Sequence, residues 1–113
     1  MVLLRVDPLP AEPLAASARF HAHVLPGVLA ELARGHHLTL VFEPAGHDHR
    51  GWRLALIQSL AREHAPLRIN ALAGADAAAI TAAAEYLATA EGVTGQYLAL
   101  DGDGAGEVYS ART

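Results

Sequence analysis

Residues 54–74 read LALIQSLAREHAPLRINALAG, and this stretch decides the fold. Leu54, Leu56, Ile57, Leu60 and Ala61 recur at helical spacing, and Pro66 then breaks the helix. Leu67–Leu72 follows at once as a short strand. A helix feeding directly into a strand is half of a βαβ unit. The question for the rest of the chain is whether the pattern repeats.

It repeats on both sides. Upstream, Val2–Val6 is an apolar pentad interrupted by one arginine and stopped by Pro8 and Pro10, hence a short strand. From Ala11 the period changes: Leu14, Ala18, Phe20, Val24, Leu25, Val28, Leu29 and Leu32 recur at three- and four-residue steps. Pro26 inside this helix lacks an N–H and should kink it, and Gly35 is the expected stop. His37–Glu43 (HLTLVFE) is nearly continuous in apolar and β-branched residues, the signature of a strand covered on both faces. The loop Pro44–His49 leads into a helix over Arg50–His64, with Asp48 as the expected N-cap.

Downstream of Gly74, Asp76 is placed to cap an alanine-rich helix reaching about Ala90. Thr94-Gly95 turns the chain into a fourth strand, Gln96–Leu100, and Asp101–Gly106 opens a flexible tail. The order βαβαβαβ over residues 1–113 predicts one α/β domain: a reduced Rossmann-like, mainly parallel sheet of about four strands flanked by helices in three layers. In such open sheets ligands bind beyond the carboxyl ends of the strands, here near Asp7, Glu43, Gly74 and Asp101.

Composition narrows the function classes. The chain has 113 residues, 52% of them hydrophobic and only 18% charged, against roughly 25% in ordinary soluble domains. A charge-poor surface leaves room for an apolar interface. The formal net charge is −4 without a Lys/Arg run, and aromatics are 5%, so neither a phosphate-backbone footprint nor a stacking platform for nucleic acid is expected. With no cysteine, disulfides and Cys-ligated zinc are excluded. No stretch approaches the roughly 18 consecutive apolar residues of a membrane span, and MVLLRVDPLP lacks the parts of a secretory signal. The expectation is a cytoplasmic protein without nucleic-acid or membrane partners.

The stretch SLAREHAPLRINALAG, followed after one helix by EYLATAEGVTGQYLALDG, resembles the carboxyl-terminal half of the short-chain dehydrogenase/reductase family. The matching positions are Leu60, Ala61, Glu63, Arg68, Ile69, Asn70, Gly74, Thr94, Gly95, Gln96, Asp101 and Gly102. Val24-Leu25-Pro26 also resembles the helix before that family's central strand. The resemblance implies a Rossmann-like fold and a dimer packed through the helix at Arg50–His64. Trp52, Leu56 and Leu60 are then the expected interface of a homodimer, with another protein as the alternative partner.

The family's chemistry does not carry over. Its spacing places the catalytic tyrosine at Gly46 and the lysine at Arg50, and no serine stands near the end of the His37–Glu43 strand. The proline that shapes the family's nicotinamide pocket is Ala73 here, and no Gly-rich phosphate turn opens a helix. Gly102–Gly106 follows the last strand and reads as tail. The expectation is therefore a pseudoenzyme without a cofactor.

What chemistry remains centres on one loop. Of the seven histidines, only His47 and His49 could share an ion, with Glu43 as third ligand; the plainer reading is a solvated loop, and no metal is expected. Glu43, His47, His49 and Arg50 form the candidate ligand site of the alternative reading, a small-molecule or nucleotide-binding module or small enzyme. A third reading has a second chain completing a site in trans.

Overall fold

A computed structural model describes residues 1–100. The elements run β1 (Val2–Arg5), α1 (Pro13–Arg19), a π-helical turn (Phe20–Val24), α2 (Leu25–Ala33), β2 (Leu38–Phe42), a 3-10 turn (His47–His49), α3 (Arg50–Glu63), β3 (Ile69–Ala73), α4 (Ala77–Thr89) and β4 (Tyr97–Ala99). The strands form one sheet in the order β1-β2-β3-β4, and every pair is parallel. The α/β class, the four strands and the flanking helices are those the alternating pattern predicts. The tail from Asp101 onward lies outside the described residues. Among the described residues no helix is long and apolar enough to cross a membrane.

Burial follows the strand patterns. All residues of β2 and β3 are buried, as strands covered on both faces must be, whereas β1 alternates because α4 does not reach over one of its faces. Leu38, Leu40 and Phe42 of β2 and Ile69, Ala71 and Ala73 of β3 pack with Phe20, Val28, Leu56, Ile57 and Leu60. Val41 and Leu72, one step out of phase, pack on the opposite face with Ile80 and Leu87 of α4. Each fully enclosed large side chain contributes about 1.5–3 kcal/mol.

This division has a topological consequence. The strands advance in one direction, yet α1–α2 and α3 lie on one face and α4 on the other. The β3-α4-β4 crossover therefore has the opposite hand to the two before it. Right-handed crossovers account for about 98% of such connections, so one link here breaks the usual rule.

Local signals explain the helix ends. Gly35 takes φ 83°, and its N–H and that of His36 return to the Leu32 and Glu31 carbonyls, closing α2. Asp76 Oδ2 accepts the Ala79 N–H at 3.0 Å and starts α4 as expected. Two expectations change. Pro26 is absorbed by the widened π turn ahead of it, in which the Leu25 N–H reaches the Phe20 carbonyl. Asp48 does not cap α3; it lies inside the 3-10 turn, and no side chain caps the helix start.

Candidate functional site

The carboxyl ends of β1 and β2 and the start of α3 enclose a cleft of about 280 Å³, lined among others by Asp7, Phe42, Glu43, His49 and Arg53. It lies where open parallel sheets hold ligands. A broader hollow of about 850 Å³ runs beside α4 and β4, lined mainly by small and apolar side chains such as Ala79, Ala82, Tyr86 and Leu98.

Of the four residues of the candidate loop, Glu43 and His49 line the cleft, and His47 and Arg50 do not. Glu43 and His47 are exposed. His49 turns inward and is 5% exposed. Its Nε2 lies 2.8 Å from the Ala11 carbonyl, which can only accept, so Nε2 carries the proton. Nδ1 then accepts the Trp52 indole N–H at 3.2 Å. Both ring nitrogens are used, and His49 fastens the β1–α1 connection to α3. Arg50 stays exposed, its guanidinium 5.7 Å above the Tyr97 ring. Among the described residues no three His, Asp or Glu side chains are grouped to hold a metal ion.

The expected interface residues also sit differently. Leu56 and Leu60, 9% and 5% exposed, point into the chain's own core rather than outward. Trp52 is half-buried, with its ring 5.8 Å from Phe20 and 5.9 Å from Phe42. The correction has a simple cause. The large apolar side chains of α3 pack against the chain's own core, leaving Arg50, Gly51, Ala55, Gln58 and Arg62 exposed.

The site residue missed at the sequence level is Arg53. It is 3% exposed, and its guanidinium lies 4.4 Å over the Phe42 ring. Nη1 donates to the Glu43 carbonyl at 3.1 Å and to the Tyr97 hydroxyl at 3.0 Å. Its position was available from spacing: Arg53 precedes Leu56, Ile57 and Leu60 at three, four and seven residues, on the buried stripe of α3.

The residues that carry the family resemblance have structural work. Arg68 Nη1 donates to the carbonyls of Leu87 and Ala90, both at 2.9 Å, and Nη2 to that of Ala88 at 3.2 Å. A buried cation thus closes the carboxyl end of α4, where helix carbonyls lack partners. Asn70 donates to the Val93 carbonyl and accepts the Gln96 N–H, both at 3.0 Å. Thr94 Oγ1 accepts the Ile69 N–H at 3.1 Å. Together these bonds pin the α4–β4 connection to β3. Gly74 is packed beneath Leu100, whose Cβ would lie 3.2 Å from an added methyl.

Comparison with known proteins agrees with this geometry. The SDR-like family model, described as short chain dehydrogenase-like protein, matches residues 4–100. No curated protein and no solved structure matches the chain.

Proposed function

We propose a non-catalytic role for this chain, which belongs to the short chain dehydrogenase-like family: it works by self-association. Two features support the reading. Gly46 and Arg50 stand where the resembled enzymes carry tyrosine and lysine. Glycine has no proton to give, and arginine holds its proton too tightly to exchange it near neutral pH.

The observation that carries self-association is the uncovered side of β1. Val2 and Leu4 pack against the α1–α3 side. Leu3 faces the other way and is 43% exposed, because α4 reaches over β2 and β3 and not over β1. Met1, 41% exposed, lies on the same face, its Sδ accepting the Thr39 hydroxyl. Among the described residues no strand pairs with the outer edge of β1 and no helix covers this face, and such an edge is a template for pairing. A second copy related by a twofold axis would cover both at once.

Sedimentation at micromolar concentration tests this. The expected result is a dimer that Leu3→Asp converts to monomer. A wild-type monomer overturns it, as does a dimer insensitive to the substitution. Titration with oxidised and reduced nicotinamide dinucleotides tests the non-catalytic half, and saturable binding of either would overturn that half.

A second reading, a small-ligand module, is favoured by one observation. A cleft of about 280 Å³ at the strand carboxyl ends approaches the size of ordinary ligand pockets, roughly 300–1,000 Å³.

A further inference from the structure

We propose that the cleft at the carboxyl ends of β1 and β2 binds a small carboxylate, held by the guanidinium of Arg53. The inference rests on the small-ligand reading and supplies its residue and its ligand class.

Arg53 is a permanent cation almost wholly withdrawn from water. Such a charge is expensive to bury unless it is paired or fully hydrogen-bonded. Neither condition is met among the described residues. The ion pairs among the described residues are Arg34–Glu31 and His36–Glu31, far from this position. Only Nη1 is hydrogen-bonded, to Glu43 and Tyr97, and Nε is enclosed without any partner. His49 cannot answer for Arg53, since both of its nitrogens are committed to Ala11 and Trp52.

The geometry selects the partner. Phe42 holds the guanidinium from below at 4.4 Å, and Nη1 is fixed by its two acceptors. What remains is the edge formed by Nε–H and Nη2–H, two parallel donors that match the two oxygens of a carboxylate. Because Nε is enclosed, the ligand is expected to enter with a small outward shift of the cleft wall beside Arg53. Asp7 and Glu43 are exposed at the same cleft and carry negative charge. They oppose a polyanion such as a nucleotide diphosphate and tolerate a single carboxylate, including one that also bears an ammonium group. The volume fits a molecule of that size.

The test is a titration of the full chain with acetate, alanine, inorganic phosphate and ADP, followed by the Arg53 Nε–H resonance and by calorimetry. Saturable shifts of Nε–H with acetate or alanine, and not with phosphate or ADP, are expected. Arg53→Lys keeps the charge but loses the two-donor edge, and should weaken carboxylate binding by at least about tenfold. Carboxylate binding that leaves Nε–H unmoved, or that survives Arg53→Lys unchanged, overturns the inference. Binding of phosphate or ADP without any carboxylate overturns it too, while keeping the cleft as a ligand site. Failure of all four probes overturns both the inference and the small-ligand reading, and the self-association result is independent of either.

Discussion

The Arg68 guanidinium, from the residue preceding β3, donates to the main-chain carbonyl of Leu87 in the last turn of α4 at 2.9 Å. This contact ties the middle of the sheet to the helix whose crossover has the reversed hand. Two further carbonyls, those of Ala88 and Ala90, share the same side chain. An unusual connection is held by a side chain that satisfies three backbone groups together.

Arg68→Ala should therefore destabilise the fold by about 1–3 kcal/mol, since it leaves the buried Leu87 carbonyl without this donor, while the Ala90 carbonyl keeps the Val93 N–H. Arg68→Lys should recover only part, because an ammonium cannot span three carbonyls with fixed geometry. Urea unfolding followed by circular dichroism measures both. Equal stability of the alanine variant and the wild type would remove the lock from the account.

Asn70 is fully buried and answers one donor and one acceptor of the β3–β4 connection. Asn70→Ala should cost about 2–3 kcal/mol, because the Val93 carbonyl and Gln96 N–H lose their partner. Asn70→Asp should not rescue stability at neutral pH. It keeps the acceptor for Gln96 but turns a second acceptor toward the Val93 carbonyl. Chemical unfolding of the two variants side by side checks the sign.

His49→Phe preserves a ring in the core and removes both hydrogen bonds, to Ala11 and from Trp52. The expected loss is about 1–3 kcal/mol, accompanied by a change in the emission of Trp52, the single tryptophan. An unchanged spectrum with unchanged stability would show that the histidine is free in solution rather than fastened.

Two glycines should respond with opposite sign. Gly95 has φ 75°, and an added Cβ would meet Ala61 Cβ at an ordinary 3.5 Å, so Gly95→Ala is penalised by its backbone alone, at about 1 kcal/mol. Gly27 lies inside α2 with open space around it, and Gly27→Ala should stabilise by about 0.5–1 kcal/mol. Thermal melts of the pair separate conformational strain from packing.

Much of the architecture is legible in local chemistry. Leu38–Phe42 reads as a doubly covered strand because it is nearly continuous in apolar and β-branched residues, and it is buried throughout; Ile69–Ala73 is buried throughout as well, although Asn70 interrupts its apolar residues. Asp76 and Gly35 mark helix ends because a carboxylate beside free N–H groups and a residue tolerant of positive φ are needed there. The site was less legible. The loop over Glu43–Arg50 looks polar and functional in sequence, yet His49 is buried with both ring nitrogens bonded, and Arg53, one helical turn on, joins it at the cleft.

By itself, the sequence determined the order of strands and helices, the burial of β2 and the family. These depend on period and composition, which are properties of neighbours along the chain. Only the tertiary structure decided on which face α4 lies, that Leu56 and Leu60 are spent on the chain's own core, and that Arg53 is enclosed without a counter-ion among the described residues. The physical reason is common to all three. Periodicity tells which side of an element avoids water, but the neighbour that covers it is chosen by the packing of distant segments. The unit at Leu54–Gly74 was readable as a helix and a strand, while the direction in which each of its side chains is used came from what folded against it.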